Sequence, residues 1–198
     1  MNRSYFIFFA IIIVFTLLGC ENKDDTKGLT KEEAMKDSIS FAPAVQKSNP
    51  NIPLITPDTL ELLLPTKIPG AEKYPSNKGS QHYGDKSWTS ASSEYSFDKG
   101  MLIIQINDYG VAGNMPEDEY RLFTFLPEID GMLSKRVWHK DGKGYMMWDK
   151  EKGEGKLQIL FQDRFVVNID AYVLGKNDPG LEYYLNKVNV ERFKTLSK

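Results

Sequence analysis

The sequence predicts an α+β domain: a mainly antiparallel sheet of about six strands with about three helices packed on one face. Three observations carry this expectation. Phe165, Val167, Ile169, Ala171 and Val173 alternate with period two, the pattern of a strand with one buried side. Asp98-Lys99-Gly100, Asp141-Gly142-Lys143-Gly144 and Gln162-Asp163 are hairpin signals, so successive strands run antiparallel. Short amphipathic runs with start and stop residues mark helices near 56–65, 116–127 and 181–188.

Taken in order, Thr56 caps a helix with Pro57 at its first position, and Ile55 and Leu60 occupy staple positions. Leu60, Leu63 and Leu64 share its core face, Pro65 stops it, and Pro69-Gly70 makes a turn. The stretch that follows is polar, rich in Ser, Gly and Lys, and is read as a loop until a strand begins near Trp88 and runs to Phe97. Met101 to Asn107 is a strand with Leu102, Ile104 and Ile106 on one side and Met101 and Ile103 on the other. Gly110 and Gly113 mark a loop, and Pro116 opens a helix whose stripe is Tyr120, Phe123 and Leu126 and which Pro127 ends. The second half is a meander: strands near Lys135–Lys140 and Tyr145–Asp149, a turn over Lys150–Gly155, then the Leu157-Ile159-Phe161 and Phe165–Val173 strands. Asn177-Asp178-Pro179-Gly180 breaks the sheet, and Leu181, Tyr184, Leu185 and Val188 follow helical spacing. Helices on one face would bury the Leu102 and Phe165 rows.

The N-terminus carries an address. Arg3 is the only charged residue before Glu21, and Tyr5 to Leu18 is apolar apart from Thr16. The run falls short of the roughly 20 apolar residues that a membrane span needs, so it reads as a cleaved export signal. Its end, Leu17-Leu18-Gly19-Cys20, resembles the lipobox of bacterial lipoproteins. That resemblance implies a diacylglyceryl group on the Cys20 thiol, cleavage before Cys20, and acylation of the new N-terminus. An anchor of two or more chains is stable, each buried methylene being worth about 0.8 kcal/mol. Cys20 is the single cysteine, so no intramolecular disulfide or thiolate metal cluster forms. Lys23-Asp24-Asp25, just after it, resembles the surface-export signal of Bacteroidota lipoproteins and implies a domain outside the cell; read as a hydrated spacer, the same run leaves it in the periplasm.

The organisation that follows is a signal peptide over 1–19, a lipidated tether over 20–51 and one domain over 52–198. The tether is too poor in large apolar residues to fold alone, although Thr30-Lys31-Glu32-Glu33 has capping-box spacing. Arg3 is the only charge in residues 1–20, so the 25 Lys and Arg become 24 against 27 Asp and Glu, a formal charge of −3 after cleavage. Such a balance offers nothing to nucleic acid, which needs a basic patch or stripe.

Chemistry is sparse. The two histidines, His82 and His139, have no second ligand at metal spacing; a zinc site joining them with Asp85 requires the 81–85 loop to fold over the meander. No G-x-S-x-G elbow or phosphate-binding loop is present. Glu117, Asp118 and Glu119 read as favourable charge at a helix N-terminus rather than as a catalytic pair. The aromatics are the remaining clue. Trp138 and Trp148 belong to rows that also carry Arg136 and Lys140, which points them outward beside Tyr145; an exposed row of this kind suits a partner surface or a sugar ring. Ordinary packing under a loop or helix is the competing explanation.

The pattern of Gly142, Gly144, Gly155 and Asp163-Arg164-Phe165-Val166-Val167 before a final helix is similar to uncharacterised lipoprotein domains of environmental bacteria, a similarity that implies no activity. The sequence therefore points to a non-enzymatic lipoprotein of the outer membrane, without metal or cofactor. It would bind an envelope component, protein or glycan, through Trp138, Trp148 and Tyr145. A surface glycan-binding accessory protein and a metal-assisted hydrolase are the alternatives.

Overall fold

A computed structural model describes residues 49, 51–124 and 132–197. The signal, Cys20, Lys23-Asp24-Asp25, the Thr30–Glu33 spacing, and Leu126 with Pro127 lie outside these residues. Among the described residues the fold is an open antiparallel sheet of eight strands with four short α-helices, not the six strands and three helices expected.

The strands are β1 (Glu72–Lys73), β2 (Asn77–Tyr83), β3 (Lys86–Ser96), β4 (Met101–Asp108), β5 (Leu133–His139), β6 (Gly142–Asp149), β7 (Glu154–Phe161) and β8 (Phe165–Tyr172). Their order is β1-β3-β4-β8-β7-β6-β5, with β2 also on β3. The two additional strands are β1 and β2, which share the outer edge of β3 within the stretch read as a loop. Their side chains are nearly all exposed, so no alternation betrays them; backbone pairing alone makes them strands. The β7–β8 reversal leaves three residues between the paired Phe161 and Phe165; the Arg164 amide donates to the Phe161 carbonyl at 3.1 Å, and Gln162 (φ 56°) and Asp163 (φ 47°) between them are both left-handed, as a type I′ turn requires.

The helices are α1 (Pro57–Glu61), α2 (Glu117–Thr124), α3 (Leu181–Leu185) and α4 (Phe193–Leu196). At α1 the Thr59 amide donates to Thr56 Oγ1 at 3.3 Å, the expected cap. The closing helix of the sequence reading is broken in two: after α3 the chain turns at Asn186–Asn189 and forms a single 3-10 turn before α4.

The expectation that the helices gather on one face is corrected. Leu60 of α1, Leu181, Tyr184 and Leu185 of α3, and Phe193 of α4 pack with the Leu102 and Phe165 rows in one large core. Helix α2 lies on the opposite face, where Phe123 meets Leu160, Val166, Tyr109 and Met115 in a separate, smaller cluster. The meander strands therefore carry apolar residues on both sides locally, Val166 and Leu160 facing α2 while Val167 and Ile159 face the main core.

One buried ion pair fastens the chain where it enters the sheet. Asp108 ends β4, and Arg164 precedes β8; Nε and Nη2 of Arg164 meet the two carboxylate oxygens at 2.7 and 2.8 Å. Nη2 also donates to the Pro53 carbonyl at 2.8 Å, and the Ile55 amide donates to Asp108 Oδ2 at 2.6 Å. Asp108 is fully buried and Arg164 nearly so, and each carboxylate oxygen takes a second donor, the Gly110 amide on Oδ1 and the Ile55 amide on Oδ2, which helps such a pair to be tolerated.

Candidate functional site

The strand register builds the site before any side chain is considered. On the face under α2 one cross-strand row runs Ser92–Gln105–Asn168–Gln158–Tyr145–Arg136 through β3, β4, β8, β7, β6 and β5. Three amides thus stand side by side on the central strands, where apolar side chains would be the ordinary choice. Neighbouring strands are about 4.8 Å apart, so adjacent amides sit at the spacing of hydroxyls across a small polar ligand. Asn107, two residues beyond Gln105, extends the amide surface along β4.

Helix α2 does not cover this row. It leaves a cleft of about 360 Å³ lined by Gln105, Asn107, Asn168 and Gln158 at the floor, Tyr109, Glu119 and Leu122 on one side, and Trp88, Gln81, Asp118 and Lys156 at the rim. The floor is wired together. Gln105 Nε2 donates to Asn107 Oδ1 at 3.0 Å, Asn107 Nδ2 to the Tyr109 hydroxyl at 3.3 Å, and Tyr109 donates in turn to Glu119 Oε2. Gln158 Nε2 donates to the other carboxylate oxygen, Oε1, at 2.9 Å. The chain fixes the orientation of each amide and leaves the carbonyl oxygens of Gln158 and Asn168 buried without a partner. An unpaired buried carbonyl costs about 1–3 kcal/mol, a cost the fold bears at two neighbouring positions of one cleft.

Burial raises the Glu119 carboxyl above its ordinary range, opposed by hydrogen bonds from Tyr109, Asn168 and Gln158 and by the charge of Lys156. Tyr109 and Tyr145 are likewise pushed up, first by burial and then by the Glu119 charge. Glu119 releases its proton later in the folded chain than in the unfolded one. Stability therefore falls as pH rises from the ordinary value of 4.5 through the raised one. We expect Glu119→Gln to remove this decline: urea midpoints of wild type and variant, measured from pH 4 to 8, diverge in the variant's favour as pH rises. Parallel curves would show that Glu119 is not strained by its surroundings.

The residues singled out by sequence are not assembled as expected. Trp138 is exposed, and Trp148 is buried in the main core on the opposite face, because positions 138 and 148 fall on opposite sides of their paired strands. They form no common row. Trp138 borders a separate shallow cleft with Asp141, Lys143, Gln162 and Asp163. Tyr145 is on the cleft side, next to Gln158 in the register, but buried edge-on against Phe123 at 6.4 Å. The zinc trio is taken apart by the topology. His82 is on β2 and His139 on β5, the two edges of the sheet, six strand spacings or roughly 29 Å apart. Among the described residues no three His, Cys, Asp or Glu side chains stand close enough to share a metal ion.

Sequence reasoning missed Gln105, Asn107, Gln158 and Asn168. The available signal was amides at outward positions of strands whose inward positions are Ile, Leu and Val. Glu119 was read as helix-end charge, yet it turns inward while Glu117 and Asp118 remain exposed. Compared with protein-family models, with curated proteins and with solved structures, the chain matches none. Among the described residues no helix is long and apolar enough to cross a membrane.

Proposed function

We propose that this chain is an exported, lipid-anchored protein of the cell envelope, held by Cys20, whose domain binds a small neutral, hydroxyl-rich ligand in the amide cleft beside α2. It acts as a binding module and not as an enzyme. Anchoring rests on the Leu17-Leu18-Gly19-Cys20 motif and on a cysteine with no other use in the chain. The observation that carries the ligand reading is the in-register Gln105–Asn168–Gln158 row with two buried carbonyl oxygens that have no hydrogen-bond partner in the fold.

An amide donates and accepts at once, and so does a hydroxyl, so a row of oriented amides matches a row of hydroxyls. Asp118 and Glu119 oppose an anion at the same place, and Lys156 is drawn aside toward Asp170 at 3.7 Å. Neutral ligands are thereby favoured over acids and phosphates. The Trp88 ring at the rim offers an apolar face, as orienting pockets commonly do.

Calorimetry on the full chain in detergent micelles tests this with inositol and neutral monosaccharides against gluconate and glucose phosphate. At least one neutral probe is expected to bind while the anions do not, and Gln158→Met is expected to weaken it about ten-fold or more. Binding of the anions in preference, or of no neutral probe, would remove the reading. For the anchor, radiolabelled palmitate should enter the wild-type chain and not Cys20→Ala.

A further inference from the structure

The amide cleft does not end at Trp88. A second cleft of about 430 Å³ shares Trp88 and Asp118 with it and continues along Pro116 and Glu117 to Tyr83. Tyr83 ends β2 at the β2–β3 turn and is 72 % exposed, an aromatic ring held in solvent by a hairpin. Nothing in the fold accounts for it there: β2 is otherwise polar, and Tyr83 belongs to neither apolar cluster. Trp88, paired two rungs below it, is braced from behind by Tyr109 at 5.6 Å between ring centroids, so its orientation is set before any ligand arrives.

Resting on the ligand reading above, we propose that the groove takes a neutral saccharide chain of at least two units, one ring on the Gln105–Asn168–Gln158 floor and the next carried past Trp88 toward Tyr83. The two clefts differ in the manner that a glycan demands. The inner one presents amides to hydroxyl edges. The outer one sets two aromatic walls and a proline beside Glu117 and Asp118, which suits the C–H faces of a sugar ring together with its hydroxyl edge. A peptide in extended form would ask for an unpaired strand edge and pockets for alternate side chains. The floor strands β4, β8 and β7 are each paired on both sides, and the single aliphatic lining the inner cleft is Leu122. Bracing Trp88 in advance also spares the ordering cost that weakens binding to flexible sites.

Length dependence decides the matter. The full chain in detergent micelles is titrated with glucose and N-acetylglucosamine, with cellobiose, maltose and chitobiose, with the corresponding tetramers, and with inositol and a Gly-Ser peptide. One saccharide series should bind, its dimer about ten-fold tighter than its monomer. Tyr83→Ala should bring the dimer back to the monomer's affinity and leave the monomer unchanged. Tyr83 is too exposed for its loss to unfold the domain, and Tyr172→Ala, an exposed tyrosine away from the groove, should alter neither. Equal affinity for monomer and dimer, or inositol bound without any saccharide chain, would overturn the proposal and leave the small-ligand reading standing. Tight binding of the Gly-Ser peptide would assign the groove to polypeptide. No response to any probe would remove both.

Discussion

Arg164→Ala is expected to destabilise the domain by about 3–5 kcal/mol, the usual cost of stranding one member of a buried ion pair. The variant leaves Asp108 fully buried with its charge facing an empty space, and it frees the Pro53 carbonyl as well. Native domains have only about 5–15 kcal/mol in hand, so the variant should lie near the edge of folding at ordinary temperature. Asp108→Asn is the informative partner. It keeps one carbonyl oxygen, an acceptor for either the Ile55 or the Gly110 amide, and removes the charge. Urea denaturation of the two single variants and the double variant gives the coupling. A double variant as unstable as the sum of the singles would show that the two residues act separately.

The second large effect belongs to Gly144→Ala. A Cβ at position 144 would stand 1.8 Å from the backbone oxygen of Gln158, inside any allowed contact, so β7 has to move away from β6. Gly142, two residues earlier on the same side, has its vacant Cβ position filled by the Phe161 ring at 2.4 Å. Overpacking of this kind costs typically about 1–3 kcal/mol and occasionally more; here the obstruction is backbone, which cannot rotate out of the way, and the upper end applies. The displaced residue is also the one whose side chain donates to Glu119. Thermal unfolding should fall by about 6–10 °C, and ligand affinity should fall further than stability explains. A variant that melts with the wild type would mean that β6 and β7 are not held as closely as their register implies.

How much of this could be read from the residues depends on whether a pattern is local. The Phe165–Tyr172 strand and the Thr56 cap were legible because burial and capping leave marks within a few positions, although Val173, expected to continue the buried row, is exposed with φ 55°. The edge strands β1 and β2 were not, since a strand exposed on both sides has no alternation and exists by virtue of its neighbour β3. Trp138 and Trp148 are ten positions apart, an even number, which keeps one side of an unbroken strand. The two-residue turn at Lys140-Asp141 sets the register Trp138↔Lys143, and Trp148 then falls on the other side. The cleft was invisible for a related reason. Gln105, Asn168 and Gln158 lie on three strands whose spatial order, β4-β8-β7, departs from their order in the chain, and only the pairing makes them a row.

The fastening of residues 53–55 to Asp108 and Arg164 bears on mechanics as well as on stability. β4 and β8 lie at the middle of the sheet, and the floor of the cleft stands on these strands and on β7. For a chain held at its N-terminus and tugged through a ligand seated on that floor, tension passes along two inner strands and bypasses the edge strands β1 and β2. Rupture then requires sliding whole ladders past each other at once, whereas a pull entering at β2 would peel them rung by rung.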